Sequence, residues 1–166
     1  DGEITFQGVT FHYSEAKHQD ALFRNLDLNI KQGQKIGLVG PSGGGKTFSA
    51  MRLAAGIAGG KPFALIDTEA RRGLHYADRF AFDHADLTSP FTPGAYAEAI
   101  TAADEAGYPV IVVDSFSHEW AGDGGILDMQ EEEFQRLGAR DTVKMTSWIK
   151  PKMAHKQMVQ RLLQVR

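Results

Sequence analysis

The chain has 166 residues, 18 Lys+Arg against 21 Asp+Glu for a formal charge of -3, and no Cys. That length fits one domain able to bury a core, and without Cys there are no disulfides, no Cys-ligated zinc and no thiol nucleophile. Globular composition (42% hydrophobic, 23% charged), no apolar run near the ~18 residues of a membrane span and an acidic, polar N-terminus without signal-peptide character predict a soluble, cytoplasmic protein with no membrane insertion.

Ile4–Tyr13 alternates apolar and polar residues, with a slip of phase at Gly8, and reads as a strand with a bulge or bend at that glycine. Residues 12–20 form a polar loop, Leu22–Ile30 alternates again, and Lys31-Gln32-Gly33-Gln34 is a turn. Residues 1–34 thus predict an antiparallel β element. The period then changes. Lys35–Val39 is a short apolar run before Gly40-Pro41 and predicts a buried parallel strand. Lys46–Ala58 carries apolar residues at helical spacing and closes on Gly59-Gly60; Pro62–Asp67 reads as a second buried strand and Arg72–Phe80 as a short helix. Pro93–Ala106 is a helix with proline at its start, Pro109–Asp114 is the strongest strand, Ile126–Leu137 is an acidic amphipathic helix, and Lys150–Arg166 is a basic one. Strands alternating with helices over 35–166 predict an α/β fold with a mostly parallel sheet flanked by helices, the whole of 1–166 forming a single domain.

The charge is unevenly spread along this order. No acidic residue follows Asp141, while Lys144, Lys150, Lys152, Lys156, Arg161 and Arg166 do, so the last 25 residues carry +6 and the first 141 carry -9. A solvated basic face is the simpler reading, and contact with nucleic acid or another partner, self-association included, is the alternative.

Gly40-Pro41-Ser42-Gly43-Gly44-Gly45-Lys46-Thr47 matches the phosphate-loop pattern G-x-x-x-x-G-K-[ST] in full. Glycines let consecutive backbone N–H groups turn inward onto phosphate oxygens, and the following helix adds its unpaired N–H groups and positive dipole end. Lys46 supplies a point charge for the β and γ phosphates, Thr47 a hydroxyl for Mg²⁺, and Phe48 follows at the start of the helix. The expected ligand is ATP, or ADP, with Mg²⁺. Asp114 ends the apolar strand Val110-Ile111-Val112-Val113. At the C-terminal edge of a parallel sheet it would lie near the loop and hold the metal, mostly through water.

Hydrolysis also needs a base or a group that positions water. Glu69, after the strand Ala64-Leu65-Ile66-Asp67-Thr68, is the favoured candidate, and Glu119 is the alternative. Asp67 reads as structural. Ser115 either polarises the γ-phosphate or caps a turn. Tyr13 could stack on a base or be a half-buried strand residue. His75, His84, His118 and His155 lack metal-ligand spacing and read as surface or local hydrogen-bonding residues, and Trp120 and Trp148 as packing residues.

Through residue 47 the chain resembles the start of an exporter-type ABC-transporter nucleotide-binding domain. The likeness lies in Ile4-Thr5-Phe6-Gln7-Gly8-Val9-Thr10-Phe11-His12-Tyr13, in Ala21-Leu22-Phe23-Arg24-Asn25-Leu26-Asp27-Leu28-Asn29-Ile30 and in Gly33-Gln34-Lys35-Ile36-Gly37-Leu38-Val39-Gly40-Pro41-Ser42-Gly43. It implies that Tyr13 stacks on adenine. That family's Leu-Ser-Gly-Gly-Gln signature is absent, and Ser115 stands where its catalytic glutamate follows the metal aspartate, which disfavours a transporter ATPase module. From Lys46 onward the chain resembles instead a phage-type RecA-like P-loop protein, in Ala64-Leu65-Ile66-Asp67-Thr68-Glu69, Val110-Ile111-Val112-Val113-Asp114-Ser115, Arg72-Gly73-Leu74-His75-Tyr76-Ala77-Asp78-Arg79 and Ser117-His118-Glu119-Trp120-Ala121-Gly122. That likeness implies a catalytic role for Glu69 and one more core strand after the last helix. The two resemblances together predict an engineered chimera joined at the shared phosphate loop, an ATP/Mg-binding P-loop domain with weak hydrolysis. A folded scaffold without useful activity and a DNA-handling ATPase are the alternatives.

Overall fold

The computed structural model describes residues 3–11, 23–41 and 43–165. They belong to two units, Asp1–Gly37 and Leu38–Arg166. In the first, β1 (Ile4–Phe11) runs antiparallel to β2 (Phe23–Ile30), with Ile4 opposite Ile30 and Phe6 opposite Leu28. The register shifts between Phe6 and Val9, around Gly8 at φ 58°. A left-handed backbone is free for glycine and costly for other residues, so the bulge sits where the apolar phase slips. Asp27 accepts the Gly8 N–H at 2.7 Å.

The second unit is the α/β layer. Helix α1 (Lys46–Ala58) ends on Gly59 in the left-handed conformation, φ 60°, the usual glycine stop. Strands β3 (Phe63–Asp67), β4 (Phe82–Asp86) and β5 (Ile111–Asp114) form a parallel sheet in the order β4-β3-β5. The central strand β3 is buried along its whole length, as an uninterrupted apolar run in a parallel sheet must be. Met51 and Ala54 of α1 close the core over Phe63 and Leu65 of β3 and Val112 of β5. Phe63, Met51 and Leu65 are wholly buried, each contributing about 1.5–3 kcal/mol relative to an exposed side chain.

The remaining helices are α2 (Pro93–Glu105), α3 (Ser117–Ala121), α4 (Ile126–Arg136) and α5 (Ile149–Gln164). Thr92 caps α2 by accepting the Ala95 N–H at 3.1 Å, ahead of Pro93. Helix α5 packs against α2 and α4. Its Lys150, Lys152, Lys156 and Arg161 are all exposed while Pro151 and Met158 are buried, so the basic residues form a solvated face. Trp120 and Trp148 stack on each other at 6.1 Å, a packing role as expected. Among the described residues no helix is long and apolar enough to cross a membrane.

Three elements differ from the sequence reading. Lys35–Val39 forms no strand, and Val39 is 95% exposed. A five-residue run with Gly37 at its centre needs a neighbour's ladder to stay extended, and no ladder to it forms among the described residues. Strand β4 was not anticipated: Phe-Asp-His-Ala-Asp is a polar strand at one edge of the sheet, with only Phe82 and His84 partly covered. The helix expected over Arg72–Phe80 is a short 3₁₀ turn, Arg72–Tyr76, for a reason that lies in Asp67.

Candidate functional site

The parallel register sets Asp67 opposite both Asp86 and Asp114, so each strand ends in a carboxylate at the same edge of the sheet. That edge of an open α/β sheet is where ligands bind. The phosphate loop lies in the same unit, with Gly43 at φ 76° and Gly45 at φ 77°, conformations open to glycine at no steric cost. Lys46 Nζ donates to the carbonyls of Gly40 at 2.9 Å and Pro41 at 2.8 Å. Thr47 Oγ1 donates to Asp114 Oδ2 at 2.6 Å. The structure therefore brings together Gly40, Pro41, Gly43, Gly44, Gly45, Lys46, Thr47 and Asp114. Ser42 and Tyr13 lie outside the described residues. The Phe48 ring packs on Tyr76 and Phe80, at 5.7 and 5.5 Å between centroids, so only its backbone N–H, in the first turn of α1, remains for a phosphate.

The oxygen donors suit Mg²⁺. That ion takes near-octahedral oxygen ligands and keeps several waters, needing one or two protein oxygens plus substrate phosphates rather than a cage. Thr47 and Asp114 are such a pair. Among the described residues no cluster of three or more His, Cys, Asp or Glu forms a metal site.

Around Glu69 the structure assembles groups that the sequence did not connect. Thr68 Oγ1 donates to the Ser115 carbonyl at 3.0 Å and accepts the Ser115 N–H at 2.9 Å. Its single proton being committed, His118 Nδ1 at 3.0 Å faces it as an N–H donor. Tyr96 OH donates to the same Ser115 carbonyl at 2.9 Å, and burial pushes its phenol above the ordinary value, keeping it a donor. With its backbone thus clamped, Ser115 turns its hydroxyl onto Glu69 Oε1 at 3.0 Å. Arg72 approaches Glu69 Oε2 at 3.5 Å and His118 Nδ1 approaches Oε1 at 3.9 Å. Thr68 and Ser115 adjoin the strand ends that the sequence marked; Tyr96 and His118 carried no signal beyond residue type.

Glu119 goes elsewhere. It is 3% exposed and pairs with His155 Nδ1 at 3.0 Å, tying α3 to α5. It is buried against His155 rather than being a solvated loop carboxylate.

Asp67 is structural, as expected. Its buried carboxylate accepts the N–H groups of Glu69 at 2.7 Å and Gly73 at 2.9 Å, with His84 Nε2 at 3.2 Å. These bonds bend the chain after β3 through left-handed Ala70 and Arg71 into the tight 3₁₀ turn. A Cβ on Gly73 would sit 2.3 Å from Leu65 Cδ2 and 3.1 Å from Asp67 Oδ2. Gly73→Ala is therefore expected to destabilise the fold by about 1–3 kcal/mol through overpacking, read as a fall in Tm of ~2–4 °C per kcal/mol for a chain of this size. An unchanged Tm would mean that this turn is loose.

The family model described as an AAA domain matches residues 32–166. Among curated proteins, an ATP-dependent permease of Candida albicans is 45% identical over 47 residues, 28% of this chain and 7% of its own length. An ABC multidrug transporter of Trichophyton rubrum is 38% identical over 80 residues, 43% of this chain and 6% of its own. An ABC transporter B family member of Dictyostelium discoideum is 50% identical over 46 residues, 28% of this chain and 3% of its own. The chain thus spans less than a tenth of the length of these relatives. No solved structure matches it significantly.

Proposed function

The chain belongs to the AAA-domain family of P-loop ATPases, and from that premise we propose that it binds ATP with Mg²⁺ and hydrolyses it slowly. The observation that carries the reading is the Thr47–Asp114 contact at 2.6 Å. It couples the phosphate loop to the strand-end carboxylate, the two oxygen donors a magnesium–triphosphate needs.

In the proposed mechanism the loop glycines present N–H groups to the phosphates. Lys46 leaves the Gly40 and Pro41 carbonyls for phosphate oxygens, exchanging neutral acceptors for charged ones. Thr47 and Asp114 would hold the Mg²⁺, which would supply neutralisation of the phosphate charge. Glu69, oriented by Ser115, takes the proton of an attacking water. Slow turnover follows from exposure. Glu69 keeps 30% of its side-chain surface, so water competes for the groups that orient it, and closed sites owe much of their power to excluding water.

Two ancestries are also part of the reading. ABC proteins match stretches covering 28–43% of the chain, whereas the AAA model runs over 32–166, and the structure divides at Gly37. A chimera joined at the phosphate loop, with a RecA-like remainder, is supported by the ABC matches over 28% of the chain, while the AAA model begins at residue 32, ahead of the loop, and one ABC match covers 43% of the chain, so the two likenesses overlap.

The test is thermal. A ligand that binds only the native state stabilises it by RT ln(1 + [L]/Kd), about 2.7 kcal/mol at one hundred times Kd. Mg-ATP at that excess is expected to raise Tm by ~5–10 °C. A melting curve that ignores saturating Mg-ATP would point instead to a folded scaffold with a misassembled loop.

A further inference from the structure

A cleft of about 280 Å³ opens beside Thr47, lined by Arg72, His75 and Tyr76. It is many times the ~10–15 Å³ that one water needs on the same measure. Thr47 also contacts Asp114, so the cleft borders the end of the phosphate loop. Its far wall is the 3₁₀ turn.

The two arginines of that turn differ. Arg71 is taken: its guanidinium sits 2.7 Å from Asp86, whose carboxylate pushes the arginine's pKa up. Arg72 pairs with Glu69 at 3.5 Å, with 66% of its side chain exposed. A half-exposed pair of that length binds weakly and can be exchanged. A phosphate offers the same guanidinium more negative charge and a bidentate fit. The turn itself is fixed, because buried Asp67 accepts the Gly73 N–H at 2.9 Å and Gly73 has no room for a side chain. Arg72 is thus an exposed, loosely paired cation on a fixed turn, lining the cleft that Thr47 shares.

We propose that Arg72 contacts the terminal phosphate of a bound triphosphate, and in doing so leaves Glu69. This rests on the nucleotide reading above and deepens it. The exchange has a consequence for Glu69. While Arg72 stays, one carboxylate oxygen faces the guanidinium and the other accepts the Ser115 hydroxyl. Once Arg72 moves to the phosphate, Oε2 is free to accept a proton from water. A diphosphate lacks the group that draws Arg72 away, so ADP leaves Glu69 paired. Arg72 would be a catalytic residue for the triphosphate alone and a sensor of which nucleotide is bound.

The experiment is calorimetric titration of the full chain with Mg-ATP and with Mg-ADP, for wild type, Arg72→Ala and Arg72→Lys. Arg72→Ala is expected to weaken Mg-ATP about tenfold and Mg-ADP less than about twofold, with Arg72→Lys between wild type and alanine for Mg-ATP. Equal weakening of both nucleotides, or of neither, overturns the assignment while leaving nucleotide binding in place. If wild type binds neither Mg-ATP nor Mg-ADP, the nucleotide reading fails and this one falls with it. Arg72 is 66% exposed, and melting curves for the two variants that match wild type exclude a folding defect.

Discussion

Lys46→Ala is expected to weaken Mg-ATP binding by roughly ten- to a hundredfold, measured by calorimetry. The size follows from what the ammonium exchanges. A hydrogen bond to a charged group contributes about 1.5–3 kcal/mol net, and Lys46 already makes two bonds to neutral carbonyls, of Gly40 and Pro41. Part of the gain on phosphate is therefore offset by bonds given up. A net loss of ~1.4–2.8 kcal/mol on truncation corresponds to the stated range. The same two bonds predict the effect on the free protein. They fold the side chain back across its own loop, holding Gly40 and Pro41 near the start of α1, so the variant should also lose some stability without ligand. An unchanged Kd would sink the phosphate-loop assignment, because the charge on this side chain is the part of the motif that backbone N–H groups cannot replace.

Lys46 also shows which parts of this molecule were legible in the sequence. The loop was, because its chemistry is local: glycine spacing, a lysine and a hydroxyl on adjacent residues specify both the turn and what it holds. Strand β3 was legible because burial on both faces demands an unbroken apolar run, β5 because Ile-Val-Val is β-branched throughout although only Val112 is buried, and their parallel register sets Asp114 at the sheet edge, where it meets Thr47. Strand β4 was not, since only Phe82 and His84 are partly covered and Phe-Asp-His-Ala-Asp looks like a loop. Lys35–Val39 failed in the opposite direction. Its apolar run satisfies the pattern for a buried strand, but pattern does not supply a partner, and Val39 lies open to solvent.

The surroundings of Glu69 were illegible for a different reason. Thr68, Tyr96, and the neighbouring Ser115 and His118 come from three places in the chain and meet around one peptide unit. Thr68 and Ser115 meet through the β3–β5 register, but the contacts of Tyr96 and His118 have no spacing signature, because they depend on where α2 and α3 cross the sheet edge. The short turn after β3 was hidden likewise. Its shape is dictated by a buried carboxylate that accepts two backbone N–H groups, and an aspartate at a strand end reads the same whether it faces inward or toward a ligand.

Glu69→Gln is expected to lower single-turnover ATP hydrolysis by about 10²–10⁴-fold, the usual contribution of a general base, and to leave Mg-ATP affinity within about twofold. The amide keeps the size of the carboxylate and an oxygen that accepts the Ser115 hydroxyl, now 3.0 Å away. What it loses is the capacity to take a proton at the working pH. Binding should persist because the phosphate contacts are made by other residues, Lys46, Thr47 and the loop backbone, and removing a negative charge from beside a triphosphate costs nothing. The alternative carboxylate cannot assume the role without unfolding its own contact: Glu119 is buried against His155 at 3.0 Å, so freeing it would break the tie between α3 and α5. Turnover by the glutamine variant at the wild-type rate would therefore remove Glu69 as the base. The water would then have to be oriented by the phosphate itself, with Ser115 and Arg72 left as groups that hold an idle carboxylate.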